Sequence, residues 1–516
     1  MKTVLGKIHL RWCETCNVPV LDKECSKCGN KTFEVKVTPP ADARPAFEND
    51  ITLINETLHN QFGITENIFE NKVALVNKVP GTEYMQEIIL DGQVVGILNY
   101  NEKSCQWKVI PTIEGARRFI ETVNKKIIVI KHDVPPYILK GASILRPGLA
   151  YASPDIKTDD DVIILVENEE LISKYGDVNG VYTDLLEKTP LEIDASKMDI
   201  LGVGRARMDY KEMIDAQKGM IAKVRKSEEP RPANTNPVTS DFKTMVEANK
   251  TPMDKFETQA VGFMRNTAEK INLPPTVAYS GGKDSLVVYL LARNAFNNDP
   301  EIEKSQASYE ILFNDTGIEF DETLENIDTM EKHYGKEILR TKSSDFWELV
   351  KTYGPPSRDN RWCSEECKLR PLGDLIDAKY SKGCLTFVGL RKYESINRSK
   401  KPRIWQSPNI KKQTLAAPIL EWTAMHVWVY ILRNEAPYNV LYEQNFDRVG
   451  CFMCPAMETG EIELIKRNYA ELWNKWESFL KQWAEENNYD DEWVKKGWKL
   501  KYPKDGKKRD NSDYTN

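Results

Sequence analysis

The chain has 516 residues, of which 29 % are charged and 41 % hydrophobic, and its formal net charge is −6. These proportions are typical of a soluble globular protein of about three domains, and the negative charge argues against a protein that coats nucleic acid without selectivity. No apolar run reaches the roughly 18 residues of a membrane span and no signal peptide is evident, so we expect a cytoplasmic protein without membrane contact.

The first 40 residues carry two Cys-x-x-Cys pairs, Cys13 with Cys16 and Cys25 with Cys28. Each pair makes a tight knuckle, and two knuckles supply four thiolates to one tetrahedral ion. We therefore predict a zinc ribbon in residues 1–40, in which Zn²⁺ takes the place of a hydrophobic core that so short a segment cannot bury. A redox-active dithiol pair and a rubredoxin-like iron site are the alternatives.

Residues 41–120 are predicted to be a small α+β domain. Helical patterns alternate there with short apolar strands at 87–90 and 94–98. Asp91-Gly92 between these strands is a two-residue turn signal, which predicts a hairpin. No catalytic constellation is evident in this stretch.

Residues 121–226 are predicted to be a small β-barrel, because the runs 126–130 and 162–166 are rich in β-branched residues. Part of the region resembles PUA domains. The resemblance lies in three stretches: 141–149, 201–206 and 218–219. It implies a partner of the tRNA type. The alternative is a spacer or docking module, which the acidic run 159–161 favours because it repels phosphates.

The Pro- and Asn-rich stretch 227–240 is predicted to be a linker. In the domain after it, residues 241–488, a buried strand at 276–279 leads into a glycine loop and then into a helix. This arrangement binds anions, because backbone N–H groups and the helix dipole face the ligand. The residues expected to hold a nucleotide are Ser280, Gly281, Gly282, Lys283, Asp284 and Ser285.

This loop resembles the PP-loop of ATP pyrophosphatases and sulfonucleotide reductases. The resemblance implies a doubly wound α/β fold, in which ligands sit beyond the carboxyl ends of the strands. The next strand, at 309–313, leads into an acidic-Thr-Gly turn that the family also carries. The turn adds three candidate nucleotide contacts: Asp315, Thr316 and Gly317.

Three further blocks resemble the 3′-phosphoadenylylsulfate (PAPS) reductase family. They are residues 355–372, 389–398 and 418–455. Guanidinium groups suit sulfate and phosphate oxygens, because they are permanent cations with planar donors. The resemblance places Arg391 and Arg398 at the sulfonucleotide, with Gly389 beside the nucleotide. Together with Lys283 and Arg361, these two arginines are the catalytic candidates.

Four cysteines of the same domain form a second set, Cys363 with Cys367 and Cys451 with Cys454. Four thiolates from two distant segments fit a [4Fe–4S] cluster. The resemblance agrees, because iron–sulfur reductases of adenylylsulfate carry comparable sets. Zinc is the alternative metal.

Two features depart from the thioredoxin-linked reductases of the family. Those enzymes place a nucleophilic cysteine in a C-terminal tail, whereas no cysteine follows Cys454 and the predicted charged tail, 489–516, offers no such nucleophile. The Ser-Gly-Gly-Lys-Asp-Ser loop is also intact here, as it is in enzymes that cleave ATP or adenylate with it.

The sequence therefore predicts a sulfonucleotide reductase that converts PAPS or adenylylsulfate to sulfite and the adenosine phosphate. Electrons are expected to come from a flavin- or ferredoxin-type donor protein, and the enzyme is expected to form an oligomer. The alternative is an ATP-dependent sulfurtransferase that adenylates a tRNA base, which the intact loop, the zinc ribbon and the PUA-like region favour. A non-catalytic nucleotide sensor is the third hypothesis.

Overall fold

The computed structural model describes residues 8–80, 84–175, 194–296 and 309–500. These residues form four sheets, and the last sheet along the chain carries the nucleotide loop. No helix among them is both long and apolar enough to cross a lipid bilayer.

The first sheet is antiparallel, with the strand order β2-β1-β3. Its strands are β1 (Arg11–Cys13), β2 (Val18–Val20) and β3 (Phe33–Glu34). Trp12 is fully buried, and its indole N–H donates to the Asn17 side chain at 3.0 Å. The two cysteine knuckles lie at the end of β1 and between β2 and β3, so short strands position all four thiols.

The second sheet is antiparallel and follows chain order. Its strands are β4 (Arg44–Pro45), β5 (Leu75–Lys78), β6 (Met85–Leu90), β7 (Gln93–Asn101) and β8 (Gln106–Pro111), accompanied by the helices Glu48–Phe62 and Ile113–Phe119. Asp91 and Gly92 have φ of 51° and 71°, and Leu90 pairs with Gln93 around them. The predicted two-residue hairpin is therefore confirmed.

The third sheet has the order β10-β14-β13-β12-β9-β11, with β9 and β12 paired in parallel. Its strands are β9 (Ile127–Ile130), β10 (Ile144–Leu145), β11 (Leu149–Ala152), β12 (Asp161–Val166), β13 (Asp199–Ala206) and β14 (Met220–Ser227). Its helices are Pro135–Leu139, Glu169–Tyr175 and Tyr210–Asp215, with 3₁₀ turns at Arg146–Gly148 and Ala195–Lys197. The β-branched runs of β9 and β12 fill its core, and residues 176–193 of the predicted PUA-like region lie outside the described residues.

The fourth sheet has the order β17-β16-β15-β18-β20-β19, and β19 is the antiparallel edge strand of an otherwise parallel sheet. Its strands are β15 (Pro275–Ala278), β16 (Glu310–Asp315), β17 (Ile338–Lys342), β18 (Cys384–Phe387), β19 (Ile404–Gln406) and β20 (Gln413–Ala416).

The helices of this domain are Phe242–Ala248, Lys250–Ile271, Lys283–Phe296, Asp321–Tyr334, Phe346–Tyr353, Trp362–Ser364, Arg370–Lys379, Ile396–Ser399, Ala424–Arg433, Thr459–Asn468, Ala470–Asn487 and Asp491–Lys495. Short 3₁₀ turns lie at Lys392–Glu394, Val440–Gln444 and Gly497–Lys499, and a π-helical turn lies at Glu365–Leu369. The predicted α/β fold class is confirmed.

The strand order determines where a ligand can bind. The chain runs outward from the central strand β15 to β16 and β17, and then returns to β18 on the other side of β15. The connections after β15 and β18 therefore diverge at the carboxyl ends of these two strands and leave a crevice between them, which is where open α/β sheets bind ligands.

The predicted linker is an ordered strap. The strand β14 extends to Ser227, and the residues after it bind side chains of the second domain. The Asn234 carbonyl accepts from Arg118 at 2.6 Å, and the Asn236 carbonyl accepts from Lys72 at 2.7 Å. Because hydrogen bonds fix this backbone, residues 228–240 do not act as a flexible tether.

The predicted charged tail, 489–516, includes residues that are folded in the structure. The helix Asp491–Lys495 and the turn Gly497–Lys499 carry Trp493 and Trp498, which are 3 % and 1 % exposed. These two indoles pack into the hydrophobic core of the fourth domain. The free energy gained by burying them exceeds the preference of the charged residues around them for water. Residues 501–516 lie outside the described residues.

Candidate functional site

The nucleotide loop follows β15, and the helix Lys283–Phe296 begins within it. The Ser280 backbone N–H donates to Ser285 Oγ at 3.1 Å, and Ser285 Oγ donates to the Gly282 carbonyl at 2.8 Å. Gly281 has a φ of 72°, and a Cβ there would lie 2.8 Å from Thr323 Cγ2. The loop's own hydrogen bonds therefore fix its shape, and the start of the helix adds a partial positive charge.

The end of β18 approaches this loop at Gly389. A Cβ on Gly389 would lie 2.5 Å from the Asp284 carbonyl carbon and 2.6 Å from the Ser285 nitrogen. Backbone atoms cannot move aside as a flexible side-chain end can, so glycine alone allows this contact between strand end and helix start. The close approach is a structural reason for Gly389, and its predicted nucleotide contact stays a prediction.

Lys283 is buried at the start of the helix and is 6 % exposed. Its Nζ donates to the Asp447 carbonyl at 2.6 Å and lies 3.9 Å from the Asp284 carboxylate. Its backbone N–H donates to Tyr442 Oη at 2.7 Å. Burial lowers the pKa of Lys283, and the Asp284 carboxylate opposes this effect.

Arg391 lies beneath the loop, 3 % exposed, and bridges two domains. Its Nε is 2.6 Å from Asp284 and its Nη1 is 2.8 Å from Asp42, which precedes β4. Burial by itself would raise the pKa of Asp284, but Arg391 and Lys283 outweigh burial and hold it below its usual value. The guanidinium of Arg391 is thus already matched by carboxylates, and its predicted contact with a sulfonucleotide stays a prediction.

A cavity of about 420 Å³ opens over the loop and is called the loop cavity below. The nucleotide loop and Gly389 form one wall, and the side chains of Trp405, Tyr442, Arg398 and Arg448 form the others. Both arginines pair with Glu394, Arg448 at 3.4 Å and Arg398 in closer contact. The volume lies within the range of about 300–1,000 Å³ that is usual for small-molecule sites.

A second cavity, of about 290 Å³, is lined by all four C-terminal cysteines and is called the cysteine cavity below. These cysteines are Cys363, Cys367, Cys451 and Cys454. Arg361 lies beside them, with Nη2 4.0 Å from Cys454 Sγ, and Thr316 Oγ1 lies 3.8 Å from Cys451 Sγ. The structure thus brings the predicted set together, and it places Arg361 and Thr316 in this wall instead of in the loop cavity.

The other two residues of the predicted turn, Asp315 and Gly317, stabilise the turn by a hydrogen bond to each other. The Gly317 backbone N–H donates to Asp315 Oδ1 at 2.8 Å. Neither residue belongs to the wall of the loop cavity in the described part of the chain. Their predicted contact with a nucleotide stays a prediction.

The N-terminal cysteines lie close together. The sulfur atoms of Cys13, Cys16, Cys25 and Cys28 all lie within 4.8 Å of one another. Thiolates around one tetrahedral zinc lie about 3.8 Å apart when each Zn–S bond is about 2.3 Å. The N-terminal set therefore suits a single ion, whereas the C-terminal thiols line the wall of a cavity.

Burial alters the proton affinity of the C-terminal thiols. Burial, with the neighbouring cysteines, raises the pKa of Cys363 and of Cys367 to about 11. It also raises the pKa of Cys451, which Lys368 opposes. These thiols therefore hold their protons at neutral pH unless a cation compensates, and a bound metal supplies that charge.

The loop cavity and the cysteine cavity share Arg398, Arg448 and Val449. A ligand with a phosphate on the loop can therefore direct its distal group between two guanidinium groups and toward the thiols. Arg398 was predicted at this place, but Arg448 and its partner Glu394 were not singled out. The sequence feature that could have marked Arg448 as a site residue is its position three residues before Cys451.

Comparison with known proteins agrees with this geometry. A family model for the phosphoadenosine phosphosulfate reductase domain matches residues 274–457, which contain the loop, Gly389, the predicted arginines and the four C-terminal cysteines. Residues 274–457 are a domain of the phosphoadenosine phosphosulfate reductase family. This reductase domain accounts for the nucleotide loop.

Relatives of the chain extend the comparison. An uncharacterized protein of Methanocaldococcus jannaschii is 44 % identical over 510 residues, which cover 97 % of this chain and 98 % of that protein. An adenosine 5′-phosphosulfate reductase of Staphylococcus haemolyticus is 30 % identical over 152 residues, 28 % of this chain and 60 % of that protein. The full-length match shows that the N-terminal sheets and the reductase domain occur together in another protein.

Two solved structures each match about two fifths of the chain. The phosphoadenylyl-sulfate reductase of Candida auris, in a phosphate complex, is 16 % identical with a TM-score of 0.29 and covers 39 % of this chain and 93 % of its own. A conserved PUA domain protein of Thermoplasma acidophilum is 14 % identical with a TM-score of 0.24 and covers 38 % of this chain and 99 % of its own.

Proposed function

We propose that this protein reduces an adenine sulfonucleotide, PAPS or adenylylsulfate, to sulfite and the corresponding adenosine phosphate. The shared wall of the loop and cysteine cavities supports the proposal most directly, because Arg398 and Arg448 line both. A phosphate on the loop would direct the sulfo group between these two guanidinium groups. Their paired N–H donors would hold the sulfo oxygens while the S–O bond breaks.

The reaction requires two electrons and cleaves the bond between the sulfur and the bridging oxygen. The oxygen stays with the adenosine phosphate, and the sulfur leaves as sulfite with the electron pair. The start of the helix Lys283–Phe296 and the Lys283 ammonium would stabilise the phosphate that accumulates charge. Two cations on the sulfo group and one on the phosphate would thus hold both leaving fragments.

The residues around the cysteine cavity fit a [4Fe–4S] cluster held by Cys363, Cys367, Cys451 and Cys454. The four side chains come from two distant segments and line one cavity, and their burial favours a bound cation. Such a cluster would supply one-electron redox chemistry beside the sulfo group. Electrons would reach it from a flavin- or ferredoxin-type donor protein. For the N-terminal set, the close sulfur spacing supports Zn²⁺.

The proposal is tested on anaerobically purified full-length protein. We expect about four iron atoms and matching acid-labile sulfide per chain, and sulfite from PAPS or adenylylsulfate with reduced methyl viologen. The Cys363→Ser variant should lose iron and sulfite formation. The matched variant Cys384→Ser should keep both, because Cys384 is buried in β18 away from the cysteine cavity. Iron-free wild-type protein, or iron-replete protein that forms no sulfite from either nucleotide, would refute the proposal.

ATP-dependent thiolation of tRNA is the second candidate. The intact loop supports it, and so does an exposed apolar surface on the third sheet. Leu145 and Met220 pair across β10 and β14 and are 54 % and 41 % exposed, and nearby Tyr137 is 67 % exposed. Aromatic and apolar side chains of this kind stack on unpaired RNA bases. Salt-sensitive tRNA binding together with pyrophosphate release from ATP would favour thiolation over reduction, and neither result is expected of a reductase.

A further inference from the structure

A third cavity, of about 380 Å³, lies between the second and fourth sheets and is called the interdomain cavity below. The second domain contributes Arg44 and Lys78 on β4 and β5, and the reductase domain contributes Asp447 and Tyr393. Lys283, behind the nucleotide loop, lines both this cavity and the loop cavity. The interdomain cavity shares Lys283, Glu394 and Arg448 with the loop cavity, so it adjoins the nucleotide site.

Arg448 lies where all three cavities meet. It lines the loop cavity, the cysteine cavity and the interdomain cavity. Reduction of a sulfonucleotide accounts for the first two, one for the nucleotide and one for the electron source. The third cavity has no role in that reaction, yet it opens toward the same guanidinium group.

Ion pairs that span the two domains surround the interdomain cavity. Arg44 is 4 % exposed and pairs with Asp50 at 2.6 Å and, more closely, with Asp447, while Arg391 pairs with Asp42 at 2.8 Å. Burying such pairs removes them from water, so they contribute little net stability compared with apolar packing. Their concentration around one cavity therefore indicates a preorganised recognition surface.

The existing pairs also select the type of ligand. Lys78 pairs with Glu458 at 2.9 Å, and Arg448 pairs with Glu394 at 3.4 Å. Both of these cationic side chains of the cavity wall therefore already have a carboxylate partner. The wall carries carboxylates and cations in nearly equal number, and of the nucleotide loop only Lys283 belongs to it, so the backbone N–H groups that attract an anion to the loop cavity do not face it. An uncharged ligand can bond to the remaining donor and acceptor edges of these pairs. Tyr393 and other apolar side chains of the wall offer faces for a ring. An uncharged ring with donors and acceptors on its edge is a nucleobase.

We propose that the interdomain cavity binds a nucleobase as a second organic ligand, which reaches the Arg448 junction from the side opposite the nucleotide loop. The base can belong to a free nucleoside or to RNA. The proposal goes beyond the sulfonucleotide reaction, and it stands whether or not the loop cavity performs that reaction.

Photo-cross-linking of full-length protein with 5-iodouridine tests the site. AMP in large excess occupies the loop cavity, and the cross-linked peptide is identified by mass spectrometry. We expect a cross-link at Tyr393 that survives AMP. The Ile396→Trp variant fills the mouth of the interdomain cavity alone and should lower the yield at least fivefold. The matched variant Val440→Trp, at an equally exposed apolar residue outside the three cavities, should leave the yield unchanged.

A cross-link that AMP abolishes would place the base in the loop cavity and overturn the proposal. So would a cross-link elsewhere, an absent cross-link, or a yield that Ile396→Trp does not lower. An oligouridylate carrying one 5-iodouridine distinguishes the source: at equal concentration, a higher yield at the same residue indicates RNA, and an equal yield indicates a free nucleoside. Because the readout is the cross-linked residue, failure here leaves iron content and sulfite formation as independent tests of the reductase.

Discussion

The contact between Gly389 and the nucleotide loop makes the sharpest test of the site. A Cβ at this position would lie 2.5 Å from the Asp284 carbonyl carbon, 2.6 Å from the Ser285 nitrogen and 2.7 Å from the Asp284 carbonyl oxygen. Ordinary contacts between nonbonded carbon atoms begin near 3.5 Å, so Gly389→Ala would require the strand end or the loop to move by about 1 Å.

We expect two results from Gly389→Ala. Overpacking against backbone should lower the free energy of unfolding by about 1–3 kcal/mol, measured by urea denaturation. Displacement of the loop should weaken AMP binding at least tenfold, measured by calorimetry, because the loop N–H groups and the helix start must face the phosphate together. The second effect should persist at temperatures where the variant is fully folded.

Gly262→Ala is the matched control. Gly262 lies in the helix Lys250–Ile271, and a Cβ there would meet nothing within 4 Å. The same added methyl group should therefore raise stability by up to about 1 kcal/mol through helix propensity and leave AMP binding unchanged. If Gly389→Ala bound AMP within twofold of wild type, the contact between β18 and the loop would not determine the shape of the site.

Three further predictions concern buried groups. Arg44→Met leaves Asp447 and a neighbouring carboxylate buried without their cation. The free energy of unfolding at pH 7, measured by urea denaturation, should therefore fall by about 3–5 kcal/mol. A loss below about 1 kcal/mol would contradict the buried pair. Burial, aided by Arg391, lowers the pKa of His426 from 6.5 to about 3, so the unfolded chain takes up the proton first as the pH falls below 6.5. This residue should therefore cost about 2 kcal/mol of stability at pH 5 relative to pH 7, and His426→Gln should remove that part of the pH dependence. Cys25→Ser should release about one zinc ion per chain and lower the unfolding temperature, whereas Cys105→Ser, at an exposed thiol, should change neither quantity.

The parts of the site that are local in sequence could be predicted. Ser280 to Ser285 lie between a strand and a helix, so the loop's place at a helix start follows from the pattern alone. The N-terminal cysteine pairs are also local, and their sulfur atoms meet as the spacing indicates. The meeting of Cys363 and Cys451 is inferred from family resemblance, because residues 368–450 separate their pairs.

Contacts between domains could not be predicted in the same way. Arg391 meets Asp42, 349 positions earlier in the chain, and no local pattern marks that carboxylate as its partner. An arginine that binds an anionic ligand and one that binds a buried carboxylate have the same sequence signal. The end of the reductase domain shows the same difficulty. The charged residues around Trp493 and Trp498 predict an exposed tail, whereas both indoles are buried in the core.

The strap at 228–240 has a consequence for how this protein unfolds. Asp91, at the hairpin turn, accepts from Arg118 at 2.7 Å, Lys72 at 3.0 Å and the Asn236 backbone at 3.2 Å. A fragment that ends before the strap, at Ser227, would leave this buried carboxylate short of a donor, and Lys72 and Arg118 short of carbonyl partners. We therefore expect the strap to unfold together with the second sheet, and a stable N-terminal fragment to need residues 228–240.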